Sequence, residues 1–167
     1  MSQRLNYFEQ SPELANKLFE FGAAVKKSSL GNTLMDLVNI RASQLNGCAF
    51  CLDMHYKEAK IHGEQELRLY HVPIWRESTL FSETERAALE WTEAVTKLPE
   101  HGVPDEVYDR VRAQFSETQI SELTFAVAVI NAWNRLNISF KSIPGSLDEM
   151  LGLTGAGLSY SPRSAKA

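Results

Sequence analysis

The chain has 167 residues, a length that fits a single domain. Hydrophobic residues make up 44% of it, charged residues 23%, and the formal net charge is −4, values typical of an ordinary soluble globular protein. The acidic balance gives no electrostatic reason to expect a nucleic-acid partner, and no basic cluster favours binding to an anionic membrane.

No apolar run reaches the roughly eighteen residues of a membrane-spanning helix, so none is predicted. The segment 1–10 lacks the apolar core of a signal peptide, which favours a cytoplasmic location. Thiols in the cytoplasm are mostly reduced. A permanent structural disulfide is therefore disfavoured, whereas a disulfide that forms and breaks during a reaction is not.

Three helices are predicted in the N-terminal half. The first starts at Ser11-Pro12, because serine caps a helix and proline fits its first position. The second begins near Asn32 and ends at Asn46-Gly47, since glycine commonly follows the last helical residue. The third begins at Cys48 and continues to Gly63.

Helical signals also dominate the C-terminal half. A short helix is predicted over 64–70, and another begins at Pro104. The segments 82–85 and 116–119 resemble capping boxes and predict a helix after each. The last of these is apolar nearly all round from 120 to 136, which indicates a central helix or one at a subunit contact.

These patterns predict an all-α fold, because no convincing alternating strand is found. We expect one helical domain over 1–153, with its core motif region at 34–140, and a small, polar, mobile tail over 154–167. A small bundle cannot cover the apolar helix on every side. We therefore expect a homo-oligomer that assembles through apolar helices.

The chain contains two cysteines, Cys48 and Cys51, and His55 follows four residues after the second. The Cys-x-x-Cys spacing allows a disulfide with little backbone movement, and His55 lies one helical turn beyond Cys51. The break at Asn46-Gly47 places Cys48 at a helix start, where free N–H groups and the helix dipole stabilise a thiolate. His55 can accept the thiol proton or stabilise the thiolate. The pattern predicts thiol redox chemistry.

Other interpretations of these residues stay open. The cysteines can be small buried hydrophobic residues. With His62, the cysteines and His55 supply four side chains of the kinds that bind zinc, but one helix cannot wrap a metal ion. No metal ligand is therefore predicted, and no cofactor beyond the redox disulfide. Asp36 is either a solvated helix-start residue or, if the two helices form an antiparallel hairpin, a carboxylate that orients His55 and relays protons.

The segment 41–55 resembles the core motif of the AhpD-like alkylhydroperoxidases, within the carboxymuconolactone decarboxylase-like superfamily, and 130–136 is similar to it as well. The resemblance implies an all-α bundle, often trimeric or hexameric, that reduces a hydroperoxide. It implies that Cys51 is the peroxidatic cysteine, Cys48 the resolving cysteine, His55 the acid/base group and Asp36 a proton relay. An external dithiol or protein reductant would then reduce the disulfide.

Two positions depart from the family pattern. Asp36 stands where glutamate is common and is one methylene shorter, and Phe50 stands where some members have a second histidine. Phe50 makes the site drier and removes one proton carrier. The alternatives are a dithiol/disulfide oxidoreductase without peroxide preference, and a non-enzymatic redox-sensing or zinc-binding module. The decarboxylase branch lacks the cysteine pair, which argues against a lactone decarboxylase.

Overall fold

The computed structural model describes residues 2–158, and every regular element within them is helical, which confirms the predicted all-α fold. The α-helices are α1 (Tyr7–Gln10), α2 (Pro12–Val25), α3 (Asn32–Asn46), α4 (Ala49–Ile61), α5 (Glu66–His71), α6 (Glu83–Thr96), α7 (Asp105–Arg112) and α8 (Glu117–Phe140). Short 3-10 helices cover Val72–Ile74 and Leu153–Ala156. In this part of the chain no helix is both long enough and apolar enough to cross a bilayer.

Local capping chemistry explains where two of the longer helices begin. The Ser82 hydroxyl accepts from the Glu85 N–H, and the Glu85 carboxylate accepts from the Ser82 N–H, so α6 starts with a complete capping box. Ser116 and Gln119 form the same reciprocal pair at the start of α8. Both predicted capping boxes are therefore confirmed.

The turn between α3 and α4 forms a helical hairpin. Gly47 has a φ of 72°, a left-handed conformation that side-chain-bearing residues rarely adopt. The Gly47 N–H donates to the Gln44 carbonyl and the Cys48 N–H to the Ser43 carbonyl. These bonds end α3 and leave Cys48 as the N-cap of α4. The predicted break therefore lies where the sequence indicated.

The interior of the bundle is built around α3 and α8. Leu37 and Val38 of α3 and Leu123 and Val127 of α8 are fully buried. On the opposite side of α8, residues 2–158 leave Phe125 52% exposed. The central position expected for α8 is confirmed, while the subunit contact stays a prediction.

One side of α8 is polar and nevertheless buried. Asn131, Asn134 and Asn137 follow one another at three-residue spacing, and all three are buried. Residues three apart lie on nearly the same side of a helix, so these amides form a stripe facing the interior. The sequence pattern had indicated an apolar surface all round and missed this stripe.

Helical structure extends slightly beyond the predicted end of the domain at residue 153. The 3-10 helix Leu153–Ala156 packs against α4, and both of its terminal side chains are buried. Residues 154–156 therefore belong to the packed domain. The remainder of the predicted tail from 159 onwards lies outside the described residues.

Candidate functional site

The two cysteines form a disulfide at the start of α4, with their Cα atoms 5.3 Å apart. Cys48 is the N-cap, and its Sγ accepts from the Cys51 N–H at 3.3 Å. Cys48 is 2% exposed and Cys51 is 1% exposed. Because a helix N-terminus stabilises negative charge, this location suits a thiolate once the disulfide is reduced.

Apolar side chains surround the disulfide. Ala42, Phe50 and Ile130 are buried with the two cysteines in one cluster. Partly buried Met54, Trp133 and Leu147 pack against that cluster. Phe50 thus contributes to a dry site, as its apolar side chain predicted. A dry surrounding strengthens each hydrogen bond that the sulfur atoms receive.

A pair of asparagines ties the turn before Cys48 to α8. The Asn46 amide nitrogen donates to the side-chain oxygens of Asn131 and Asn134, at 2.9 and 2.8 Å. The Asn134 amide donates in turn to the Ser43 hydroxyl. These bonds hold the end of α3, and therefore the N-cap cysteine, against the central helix.

His55 lies one turn beyond Cys51 and is also buried. Its Nδ1 is 2.7 Å from the Glu58 carboxylate, which also accepts from the Lys26 ammonium at 2.6 Å. Its Nε2 is buried and has no hydrogen-bond partner among the described residues. A ring nitrogen that is buried and unbonded is available to accept or donate a proton during a reaction.

The charge on Glu58 determines the tautomer of His55. Burial alone would raise the pKa of Glu58, but the hydrogen bond and charge of His55, together with Lys26, lower this pKa to about 2. The carboxylate is therefore ionised near neutral pH and can only accept. We infer that His55 carries a proton on Nδ1, which leaves Nε2 as the nitrogen with a free lone pair.

Asp36 is buried in α3, but it does not hydrogen-bond to His55 as the hairpin argument suggested. Its carboxylate lies 2.7 Å from Nδ1 of His62, the C-cap residue at the opposite end of α4 from the cysteines. Burial raises the pKa of Asp36, the His62 hydrogen bond only partly offsets this, and the nearby Glu58 charge raises it further. His62 occupies the predicted helix end and also holds Asp36.

The sequence interpretation missed Glu58, Asn137 and Tyr7. Glu58 had a usable signal, because a carboxylate three residues after a histidine lies on the same face of a helix. Asn137 donates from Nδ2 to Cys51 Sγ at 3.7 Å, and the Tyr7 hydroxyl donates to Asn137 Oδ1 at 3.1 Å. No local pattern could have joined Tyr7 to a residue 130 positions away.

The four side chains of the zinc alternative do not form a cluster. His62 lies at the C-terminal end of α4 and pairs with Asp36, whereas Cys48 lies at the N-terminal end. Among residues 2–158, no group of three or more histidine, cysteine, aspartate or glutamate side chains is arranged to hold a metal ion.

Sequence comparison places the chain among known relatives. The model of the carboxymuconolactone decarboxylase family matches residues 12–94. The uncharacterized protein YdfG of Bacillus subtilis (strain 168) is 43% identical over 139 residues, which are 83% of this chain and 95% of YdfG. The uncharacterized protein YnjA of Escherichia coli (strain K12) is 36% identical over 113 residues, 67% of this chain and 61% of YnjA.

Structural comparison agrees with these matches. A protein of unknown function from Agrobacterium tumefaciens, provisionally named as the antioxidant defence protein AhpD, has a TM-score of 0.83 at 40% identity, covering 86% of this chain and 98% of its own. The debrominase Bmp8 has a TM-score of 0.75 at 20% identity, covering 86% of this chain and 77% of its own, a likeness of fold alone. This chain therefore belongs to the carboxymuconolactone decarboxylase family and has the AhpD-like fold.

Proposed function

We propose that this protein is a thiol-dependent peroxidase that reduces hydroperoxides with the Cys48–Cys51 pair. The observation that carries the proposal is the arrangement on α4, where a redox-capable cysteine pair at the helix start is followed by a buried histidine with an open Nε2. The Agrobacterium relative, 40% identical to this chain, bears a provisional name as an antioxidant defence protein, and a role of that kind supports the proposal.

The reaction begins with the reduced pair. The Cys51 thiolate attacks one oxygen of the hydroperoxide, the O–O bond breaks, and the other oxygen leaves with a proton as an alcohol. Cys51 is then a sulfenic acid. The Cys48 thiol attacks the Cys51 sulfur, the hydroxyl group leaves with the thiol proton as water, and the disulfide forms. An external dithiol reduces this disulfide, supplies both protons and becomes a disulfide itself.

His55 is the proposed acid/base group of this cycle. Its Nε2 takes the proton of the Cys51 thiol and returns a proton to the departing oxygen. Glu58 orients the ring through Nδ1 and stabilises the imidazolium while the proton is held. Asp36 is a proposed further proton carrier that acts through its hydrogen bond to His62, whose side chain is 33% exposed to solvent.

The burial of both sulfur atoms bears on the substrate class. A small hydroperoxide can enter a site whose cysteines are 2% and 1% exposed more readily than a disulfide on the surface of a folded protein can. The apolar cluster around the disulfide favours an organic hydroperoxide. This is the observation that favours a peroxidase over a general dithiol/disulfide oxidoreductase.

Peroxide consumption with dihydrolipoamide as the electron donor tests the proposal. We expect turnover of cumene hydroperoxide that is lost in Cys51→Ser and retained in Ser142→Ala, a substitution outside the cysteine site. Failure with hydrogen peroxide and with every organic hydroperoxide, together with rapid reduction of a model disulfide, would replace the peroxidase by the oxidoreductase alternative. A cytoplasmic location and a trimeric or hexameric assembly belong to the same proposal.

A further inference from the structure

We propose that Asn137 is a catalytic residue whose side-chain amide donates a hydrogen bond to the Cys51 sulfur and stabilises its thiolate. The proposal rests on the function above, in which Cys51 is the attacking sulfur. Asn137 is buried on α8, and its Nδ2 lies 3.7 Å from Cys51 Sγ. The amide thus touches the atom at which the reaction takes place.

The neighbours of Asn137 determine which end of its amide faces the sulfur. Nδ2 also donates to the Trp133 carbonyl at 2.9 Å. A carbonyl oxygen can only accept, so reversing the amide would bring two oxygen atoms together. The two hydrogens on Nδ2 therefore serve the Trp133 carbonyl and the Cys51 sulfur, and the amide oxygen is left for Tyr7.

Tyr7 is the positioning residue for this amide. Its hydroxyl donates to Asn137 Oδ1 at 3.1 Å. Burial raises the pKa of Tyr7 to about 12, with the Asn137 hydrogen bond opposing this rise, so the hydroxyl keeps its proton while a thiol titrates. The Arg4 N–H donates to the Phe140 carbonyl at 2.8 Å and anchors the preceding segment to the end of α8.

This donor distinguishes the two cysteines. Cys48 Sγ accepts from the backbone N–H of Cys51, whereas Cys51 Sγ accepts from Asn137. Hydrogen bonds to an ionised acceptor are stronger than those between neutral groups, and they gain further where water is excluded. The amide is neutral and does not titrate, so it favours the thiolate at any pH. It does not compete with His55 Nε2 for the thiol proton.

The experiment measures the thiolate of Cys51 directly, in the full chain with Cys48→Ser so that one thiol remains. The rate of alkylation by iodoacetamide is followed against pH, with Asn137→Leu, Tyr7→Phe and the matched control Tyr70→Phe added in turn. Tyr70 is an exposed residue whose hydroxyl bonds to Glu66. Two titratable side chains lie near this site. His55 on α4 is present in every variant, and Tyr7 on α1 is present in every variant except Tyr7→Phe.

We expect Asn137→Leu to raise the Cys51 thiol pKa by about one unit, the size of one lost hydrogen bond to a charged group. Tyr7→Phe should raise it by a smaller amount, and Tyr70→Phe should leave it unchanged. An unchanged pKa in folded Asn137→Leu overturns the proposal. If Asn137→Leu does not fold, Tyr7→Phe provides the test. A raised Cys51 pKa in Tyr7→Phe supports Asn137 as the donor, and an unchanged Cys51 pKa overturns the proposal.

Peroxide turnover provides the second readout, in the chain with both cysteines. Asn137→Leu should lower kcat/KM for cumene hydroperoxide about tenfold near neutral pH, with the loss shrinking above the thiol pKa. Alkylation needs no peroxide, so the two proposals fail separately. A shifted alkylation profile without peroxide consumption would refute the peroxidase, whereas peroxide consumption with an unshifted profile would refute the role of Asn137.

Discussion

Nδ1 of His55 lies 2.7 Å from Glu58, the carboxylate one turn further along α4, while Asp36 is bonded to His62. The carboxylate that hydrogen-bonds to the histidine one turn beyond Cys51 therefore comes from the same helix as that histidine. This pairing changes which substitutions should affect the proposed reaction and in which direction.

Glu58→Gln should lower the rate of the proposed peroxidase about tenfold to a hundredfold, because a neutral amide neither stabilises the imidazolium nor selects the Nδ1–H tautomer as an ionised carboxylate does. Steady-state turnover of cumene hydroperoxide measures the effect. Glu66→Gln is the matched control, since Glu66 is exposed and pairs with Lys60 instead. Equal rates for the two variants would remove Glu58 from the mechanism.

Glu58 should also make stability depend on pH. Its pKa of about 2 in the folded chain lies below the ordinary 4.5, so its contribution is present above the ordinary value and is lost as pH falls towards 2. The free energy of unfolding of Glu58→Gln should be lower than that of the unsubstituted chain by up to about 3 kcal/mol near neutral pH.

Urea unfolding of the two proteins across this range measures that difference. The buried Asp36 acts in the opposite sense, because its pKa is raised and its contribution is lost as pH rises. The Glu58 charge contributes to that raised pKa, so both proteins are compared in an Asp36→Asn background, where the difference between them isolates Glu58. A difference that stays constant down to acid pH would contradict the assignment.

Asp36→Asn should lower turnover by about twofold to tenfold if Asp36 carries protons, and His62→Gln should give a similar loss because the two side chains form one hydrogen-bonded unit. Combining the substitutions should add little. Turnover is measured against Asp53→Asn, a control aspartate on the same hairpin that pairs with Lys57. If Asp36→Asn retains the full rate, Asp36 is a structural residue.

Cys48→Ser should trap Cys51 as a sulfenic acid after peroxide addition, because the resolving thiol is missing. A dimedone-type reagent followed by mass spectrometry locates the label. Cys51→Ser is the matched control and should give no label from the peroxide reaction. If Cys48 is labelled in the Cys51→Ser protein and Cys51 is not labelled in the Cys48→Ser protein, then Cys48 is the peroxidatic cysteine and Cys51 the resolving one.

The exposed aromatic pair Phe21 and Phe125 should lie at a subunit contact if the chain assembles as predicted. Their rings are 5.8 Å apart in an edge arrangement, and both side chains remain exposed in the single chain. Phe125→Glu should shift the mass measured by light scattering towards that of a monomer, because burying a charge at an interface is costly. Leu67→Glu is the control, an exposed residue on α5. An unchanged mass would place the contact elsewhere.

Interactions between residues close in the chain were readable from the sequence. The Gly47 turn, the Ser82 and Ser116 capping boxes and the Cys48 N-cap depend on groups within a few positions of one another. His55 followed from helical spacing in the same way. Glu58 obeys the same rule, since it lies three residues after His55 on one helix, whereas the sequence prediction assigned that role to Asp36 on the neighbouring helix.

Periodicity and spacing within single helices were enough to predict the helical class and the cysteine pair with its histidine, and the resemblance of residues 41–55 to a known motif indicated the family. Tertiary structure alone decided that Asp36 meets His62 and that Tyr7 holds Asn137 against Cys51. Such contacts depend on how separate helices rotate and pack against one another. The asparagines of α8 would have the same spacing in the sequence whether they faced solvent or the interior. Only the packing of the bundle decides which of these two surroundings they have.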